Sequence, residues 1–185
     1  LEFRRFVVGE NPSAGFLAAA HALGSNVRLV TQSVYELSPE TIGSFDVVTC
    51  GSLLLHLRDP LRALAAIRSV CRERFMCTNQ VELRLSLQRP RIPLARIDGT
   101  SGVTQWWLPN AAGHRQMVQA SGFEVERESG LYSIPFGPAH PPRRQGPKGI
   151  LQRLGRRVIT GHDGVPHHAV LGRVREPDAG QVTSG

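Results

Sequence analysis

Residues 43–60 read GSFDVVTCGSLLLHLRDP, and this stretch decides the fold class. Its segment 45–50 is nearly continuously apolar, which is typical of a strand buried on both faces of a parallel sheet. Asp59 followed by Pro60 predicts a helix cap with proline at the first helical position. Apolar residues then recur on one helical face, which predicts an amphipathic helix over residues 60–72.

Further strands and helices alternate on both sides of this stretch. Four more strands are predicted from short apolar runs, and a last one begins at His168. Helices are predicted over residues 12–23, with Asn11 as the cap and Pro12 as the first residue, over residues 111–121, capped by Asn110, and over residues 150–158 as a short basic helix. The strand predictions cover residues 6–8, 27–30, 75–77, 123–128 with an extension through 131–134, and 168–174. This alternation predicts an open, mainly parallel α/β sheet.

The composition suits one globular domain with a tail. The chain has 185 residues, 41% of them apolar and 20% charged, which excludes wholesale disorder. It contains no apolar run long enough to span a membrane. Its three cysteines form no C-x-x-C pair, which favours a reducing, cytoplasmic setting and predicts no metal site. The predicted organisation is a core over residues 1–137, a basic Pro/Gly-rich insertion or loop over 138–164, the last strand over 165–175 and a disordered tail over 176–185.

Positive charge is concentrated near the C-terminus. The net charge is +7, and residues 139–185 contribute +5 of it. The basic segment 143–157 can attract phosphate backbones, which makes nucleic acid a candidate partner. The alternative interpretation is a solvated tail, and charge alone does not decide between the two.

Residues 43–60 resemble the fourth-strand motif of class I S-adenosylmethionine-dependent methyltransferases. With residues 106–110, WWLPN, the resemblance is closest to the subgroup that includes bacterial tRNA wobble-uridine carboxymethyltransferases. The resemblance implies a Rossmann-like, mostly parallel sheet with an antiparallel last strand. It also implies S-adenosylmethionine as cofactor and methyl transfer to a small-molecule or tRNA nucleophile.

The family's glycine-rich loop has no counterpart in front of Phe6. The chain is therefore expected to lack the first strand of the fold and that loop, and to bind the cofactor weakly without them. Two interpretations follow, a fragment of an enzyme or a protein that has lost half of its cofactor pocket. In the second case it is an inactive remnant that binds RNA or a protein partner.

The resemblance assigns a cofactor pocket residue by residue. Glu10 follows the first predicted strand, where an acid binds the ribose hydroxyls, although an acidic first turn of a helix explains it equally. Residues 33–35 would face the adenine, although Tyr35 is also a candidate for core packing. Gly51 allows the cofactor to approach the backbone. The cofactor residues expected from the resemblance are Glu10, Ser33, Val34, Tyr35, Cys50 and Gly51.

The substrate side has four candidate residues. His56 lies at the mouth of the expected pocket and is a candidate catalytic base, or else a hydrogen-bonding residue of its loop. Trp106 is expected either to form a wall of the pocket or to pack at a helix entrance. Arg84 and Arg91 lie in the segment expected to cover the site, where they would bind an anionic substrate or remain solvated.

Overall fold

The computed structural model describes residues 13–99, 105–137 and 147–175. The chain divides into two compact units, residues 1–33 and 34–185. In chain order the helices are α1 Ala14–Ala22, α2 Pro39–Ile42, α3 Pro60–Val70, α4 Leu83–Gln88, α5 Ala111–Ala120 and α6 Pro147–Thr160. The strands are β1 Phe45–Gly51, β2 Cys71–Gln80, β3 Ala95–Ile97, β4 Trp107–Pro109, β5 Phe123–Glu128, β6 Tyr132–Pro135 and β7 Gly164–Val174.

The described part of the first unit contains helix α1 and an irregular segment. Helix α1 confirms a helix within residues 12–23, and none of its side chains is buried. The predicted cap, Asn11 followed by Pro12, lies outside the described residues. The predicted strand over residues 27–30 is wrong, because these residues have no regular secondary structure. An apolar run becomes a strand only where a neighbour completes its hydrogen bonds, and no strand of the described residues pairs with this one. The predicted strand over residues 6–8 lies outside the described residues.

The second unit is built on a five-stranded sheet in the order β1-β2-β7-β5, with β6 also paired to β7. Strands β1 and β2 are parallel, and β7 is antiparallel to β2 and to β5. Strand β5 therefore points in the same direction as β1 and β2. This confirms a mostly parallel sheet with an antiparallel last strand.

Strand β7 is longer than predicted and has two partners on the same edge. Its C-terminal half pairs with β5, whereas its N-terminal half pairs with β6, where Tyr132 lies opposite His167. The predicted extension of β5 through residues 131–134 is therefore a separate strand. Strand β7 starts at Gly164 rather than His168. Helix α6 covers Pro147–Thr160 and therefore extends three residues before and two residues after the predicted range 150–158.

The predicted caps position α3 and α5. The carboxylate of Asp59 accepts a hydrogen bond of 3.0 Å from the Arg62 amide, and Pro60 is the first residue of α3. The side-chain oxygen of Asn110 accepts a bond of 2.8 Å from the Gly113 amide. Helix α5 ends before Gly122, whose φ of 89° suits glycine.

The hydrophobic core lies on the sheet face that α3 and α5 cover. The rings of Phe75 and Phe123 stack with their centroids 4.7 Å apart. Leu64 of α3, Val118 of α5 and Val170 of β7 are fully buried around them. The prediction that residues 45–50 form a strand buried on both faces is wrong. Strand β1 stands at the end of the sheet order, and among its residues only Cys50 is buried.

Candidate active site

The carboxyl ends of β1 and β2 form one edge of the sheet, and the start of β7 lies at the same edge. In the register of these strands, Gly51 lies opposite Thr78, and Gln80 lies opposite His167. Ligands of open α/β sheets bind outside this edge. The edge therefore brings together the end of the decisive strand and a residue from the far end of the chain, His167.

Gly51 leaves its backbone open to a ligand. A Cβ atom placed on Gly51 would meet only the Thr78 hydroxyl, at an ordinary contact distance of 3.5 Å. Gly51 itself is exposed. The approach of a cofactor to this backbone stays a prediction. Cys50 differs, because its side chain belongs to the hydrophobic core, so that only its backbone remains for a ligand.

Ser52 follows Gly51 and has an unusual backbone conformation. Its φ is 48°, the only positive φ of a non-glycine residue among residues 13–99, 105–137 and 147–175. The Ser52 amide donates a hydrogen bond of 2.8 Å to the Thr78 carbonyl oxygen. The Ser52 hydroxyl lies 3.0 Å from Nε2 of His167. Such strain persists where the surrounding contacts hold it, and it is concentrated at functional sites.

Three histidines are buried near this edge. Nδ1 of His114 lies 3.1 Å from Nδ1 of His168, Nε2 of His114 lies 3.3 Å from the sulfur of Cys77, and Nε2 of His168 lies 3.4 Å from a Glu128 oxygen. Burial, reinforced by the other two histidines, lowers the pKa of His114 to about 3. Burial also lowers the pKa of His168, against the effect of Glu128, and that of His167. All three rings are therefore neutral at pH 7.

Cys50 and Cys77 lie opposite each other on β1 and β2. Their mutual hydrogen-bonding contact lowers the pKa of Cys50, whereas the same contact and burial raise the pKa of Cys77. Both side chains are buried and reduced. Among the described residues, no group of three or more His, Cys, Asp or Glu side chains is arranged to hold a metal ion.

Of the residues predicted to contact the adenine, Val34 and Tyr35 lie in the second unit and Ser33 in the first. Val34 and Tyr35 belong to a short helical turn, Val34–Glu36, in the second unit. Val34 packs against the core. The Tyr35 hydroxyl accepts a hydrogen bond of 3.3 Å from the Asp59 amide, so the ring lies at the start of α3. Ser33 belongs to the first unit, and Glu10 lies outside the described residues.

Trp106 and Trp107 contact the loop after β1 that carries His56. His56 is exposed on the helical turn Leu54–His56, and the Trp106 amide donates a bond of 2.7 Å to the Leu55 carbonyl oxygen. The Arg58 guanidinium lies 4.4 Å from the centre of the Trp106 ring. Trp107 donates from its indole nitrogen to the Arg58 carbonyl oxygen, at 2.9 Å. Both tryptophans therefore support the loop that follows β1.

Arg84 and Arg91 are exposed, the first on α4 and the second in the loop after it. Among the described residues, neither side chain forms a hydrogen bond or ion pair with the edge residues Gly51, Ser52 and Thr78. The segment that carries them is nevertheless ordered. The fully buried Asn110 accepts from the Leu94 amide at 3.0 Å and donates to two carbonyl oxygens, those of Arg89 and Ile92.

Sequence reasoning missed Ser52 and His167. Both lie beside predicted features, Ser52 next to Gly51 and His167 next to the predicted start of the last strand. The signal available was the pair His167–His168 at the start of an apolar run, two polar side chains pointing to opposite faces of a strand. The distance of 3.0 Å between the Ser52 hydroxyl and Nε2 of His167 depends on β7 lying beside β2. Residue patterns do not show that strand order.

Residues 2–74 match a family model described as a methyltransferase domain. A segment of 56 residues is 43% identical to ubiquinone biosynthesis O-methyltransferase of Xanthomonas campestris pv. campestris (strain B100). The matched segment is 29% of this chain and 23% of that protein, so the chain matches about a quarter of the relative's length.

Solved structures share the fold at low sequence identity. The 1,6-didemethyltoxoflavin-N1-methyltransferase of Burkholderia thailandensis has a TM-score of 0.54 at 16% identity, over 88% of this chain and 57% of that one. The [4+2]-cyclase SpnF has a TM-score of 0.55 at 17% identity, over 92% and 64%. The PH0226 protein of Pyrococcus horikoshii OT3 has a TM-score of 0.51 at 15% identity, over 90% and 68%.

These comparisons establish a Rossmann-like fold of the kind found in methyltransferases. The matched methyltransferase domain covers residues 2–74, which is less than half of the chain. A cyclase shares the fold, so the fold alone does not give the reaction. No helix of the described residues is both long and apolar enough to cross a membrane.

Proposed function

We propose that this protein transfers a methyl group from S-adenosylmethionine to a small-molecule nucleophile at the carboxyl edge of β1 and β2. The observation that carries the proposal is the open backbone of Gly51 at this edge, where an added Cβ would meet only the Thr78 hydroxyl, at 3.5 Å. The adjoining Ser52 and the nearby His167 supply polar groups on the acceptor side.

The residues present fit the cofactor at this edge. Gly51 and the backbone of Cys50 would lie along it. Val34 and Tyr35 would contribute at the adenine end, Val34 as part of an apolar wall, since its side chain packs against the core. Ser33 and Glu10 remain proposed contacts with the adenine and the ribose. When bound, the cofactor supplies an electrophilic methyl group on a positively charged sulfur.

The protein's contribution to the reaction is mainly orientation. Holding a nucleophile in line with the methyl group removes much of the entropic barrier to a bimolecular step. Trp106 and Trp107 fix the loop after β1 through Leu55 and Arg58, so the acceptor meets a preformed wall. We propose that His56, exposed on this loop, contacts the acceptor. Arg84 and Arg91 are proposed to attract an acceptor that carries a negative charge.

A small acceptor is better supported than tRNA. Two of the relatives named above are, by their names, methyltransferases of a small molecule and of ubiquinone biosynthesis. In the basic segment, Arg153 forms an ion pair with Asp163, and Arg156 donates to the Gly164 carbonyl oxygen at 2.9 Å. These two side chains stabilise α6 against the start of β7 and are therefore poor candidates for phosphate contacts. We also propose a reducing, cytoplasmic setting, because the buried cysteines are free.

The alternative function is an RNA- or protein-binding remnant without catalysis, and the experiment must separate the two. Methyl-labelled S-adenosylmethionine would be incubated with the protein and either a panel of phenols and heterocycles or bulk tRNA. The proposal expects label in a small-molecule product. Label in tRNA alone would contradict the small acceptor. No label in either, from a protein that binds S-adenosylhomocysteine, would favour the remnant.

A further inference from the structure

Ser52 and His167 lie at the edge where the proposed acceptor binds. Ser52 is the first residue after β1, and His167 lies opposite the last residue of β2, Gln80. The hydroxyl of Ser52 is 3.0 Å from Nε2 of His167. Ser52 is half-buried, whereas His167 is only 4% exposed. A molecule at this edge therefore reaches His167 through the Ser52 hydroxyl.

The hydrogen bonds of His167 define its tautomer. Nδ1 lies 2.8 Å from the Val165 carbonyl oxygen, and because a carbonyl only accepts, Nδ1 carries the proton and donates it. In the neutral ring Nε2 then has a free lone pair. The Ser52 hydroxyl donates to that lone pair, and the remaining lone pairs of its oxygen are left to accept a proton.

The neutral ring is maintained by its surroundings. Burial lowers the pKa of His167, while the bond to Val165 opposes this effect. The ring of Tyr132 on β6 lies 5.9 Å away, centre to centre, and burial raises the pKa of Tyr132, so the phenol is uncharged. The pKa values of His114 and His168 are lowered as well, so these rings are also neutral. Nε2 of His167 is therefore unprotonated, and its lone pair faces the Ser52 hydroxyl.

The conformation of Ser52 is held for this contact. A left-handed conformation costs a non-glycine residue about 1 to 2 kcal/mol. It is maintained by the bond from the Ser52 amide to Thr78 and by the contact with His167. Backbone strain of this kind is concentrated at functional sites. The strained Ser52 is held by Thr78 and His167 and follows the open Gly51, which points to a function for this conformation.

We propose that Ser52 and His167 form the proton-accepting pair of this site, and that the acceptor is a hydroxyl or phenol, which must lose a proton. This inference rests on the proposed methyl transfer. As the acceptor oxygen forms its bond to the methyl carbon, the bond from that carbon to sulfur breaks. The acceptor proton passes to the Ser52 oxygen while the Ser52 proton passes to Nε2 of His167. The positive charge thus moves from sulfur to the imidazole, and no net charge is created.

Ser52 is the residue that touches the acceptor, and His167 acts through it as a positioning residue and proton store. Proton transfer of this kind contributes about 10² to 10⁴ in rate. An acceptor that is already ionised needs no such transfer. Loss of the pair should therefore slow the reaction of a protonated acceptor and not that of an ionised one, whereas loss of a purely structural contact should slow both.

The first test needs neither cofactor nor acceptor. Long-range proton–nitrogen spectra of the ¹⁵N-labelled protein at neutral pH should show His167 with the proton on Nδ1, and Ser52→Ala should shift the Nε2 resonance. A proton on Nε2, or a doubly protonated ring, would overturn the proposal whether or not the protein transfers methyl groups.

The second test uses catechol and 4-nitrocatechol at mildly alkaline pH, where the nitro compound is ionised. In Ser52→Ala and His167→Gln, kcat with catechol should fall by about 10² with KM nearly unchanged, whereas kcat with 4-nitrocatechol should change less than about threefold. Ser69→Ala, an exposed serine on α3, is the control. Equal losses on both acceptors, or no loss on catechol, would overturn the pair. If the unmutated protein does not bind S-adenosylhomocysteine, the proposed function itself is contradicted.

Discussion

The hydroxyl of Ser52 lies 3.0 Å from Nε2 of His167, although 115 residues separate the two in the chain. The contact exists because β7 is inserted antiparallel between β2 and β5, which returns the chain to the edge where β1 ends. A strand of the opposite direction would place His167 at the other edge. The direction of this one strand therefore determines which polar groups face the proposed acceptor.

The stability of Ser52 variants should report the backbone strain. Ser52→Ala keeps the left-handed conformation and loses the hydroxyl contact, so we expect a loss of about 1 kcal/mol in the free energy of unfolding. Ser52→Gly loses the same contact but releases the strain. Glycine should therefore be more stable than alanine here by about 1 kcal/mol, as measured by urea unfolding.

Ser69 provides the matched control for this comparison. It lies exposed in α3, where alanine should be more stable than glycine by about 1 kcal/mol. If the alanine variant is more stable than the glycine variant at both positions, Ser52 is not strained.

Acid should destabilise the protein before any carboxylate is protonated. His114 has a pKa of about 3 in the folded state, against about 6.5 in an unfolded chain. Above pH 6.5 neither state binds the proton. Between pH 6.5 and about 3 only the unfolded state binds it, so the free energy of unfolding falls as the pH falls. His167 and His168, whose pKa values are also lowered, act in the same direction.

The measurement is urea unfolding at pH 7.5 and pH 5.5. His114 alone should account for a loss of about 1 kcal/mol between them. His114→Gln should reduce the difference by that amount. Val118→Ala, which also removes buried volume from α5, should keep it. An unchanged difference in His114→Gln would show that the ring is protonated in the folded protein.

Asn110 should be among the most sensitive polar residues. Its side chain is fully buried and makes four hydrogen bonds, two of them as donor to carbonyl oxygens. Asn110→Asp removes both donors and places a carboxylate against those oxygens, so we expect a loss of about 3 kcal/mol in thermal or urea unfolding. Asp59→Asn is the control, since an exposed cap that keeps its oxygen should cost under about 0.5 kcal/mol. Similar losses in both would contradict the assigned role.

The basic segment should be dispensable for methyl transfer to a small acceptor. Arg153 and Arg156 are excluded from the change because they stabilise the structure; Arg143, Arg144, Lys148 and Arg157 are replaced with Gln. If the parent binds single-stranded RNA, the slope of log affinity against log salt should fall by about 2 to 3 at ~0.7 per contact. Turnover of the small acceptor should stay the same. A loss of that turnover would place the segment at the acceptor site.

The parts of the fold that sequence predicted are those with strong local signals. Asp59 before Pro60 located the start of α3, and Asn110 located that of α5, because capping depends on near neighbours. The run 27–30 has equal β propensity but no partner strand among the described residues, so propensity alone gave a wrong strand. Tertiary pairing is the information that a local pattern lacks.

The sequence indicated a position for the candidate site and little of its chemistry. Gly51 was chosen because it ends a recognisable strand, and its role stays a prediction. Trp106 was chosen as a pocket wall or a packing residue, and its ring and amide contact Arg58 and Leu55 of the loop after β1. Ser52 and His167 were not predicted, because the contact between them depends on the order of the strands in the sheet. Chemistry that is assembled from distant segments is visible only once the order of the sheet is known.

The central claim is that the cofactor lies against the Gly51 backbone, and calorimetric titration of S-adenosylhomocysteine tests it most directly. The protein would be compared with its Gly51→Val variant and with Gly130→Val, at a glycine that has open space around it. A Cβ at Gly51 makes only an ordinary contact with Thr78, so the fold should tolerate valine. We predict binding at least about tenfold weaker in Gly51→Val, equivalent to ~1.4 kcal/mol, with the melting temperature and Gly130→Val binding unchanged. Equal affinity in the parent and a folded Gly51→Val would contradict the account.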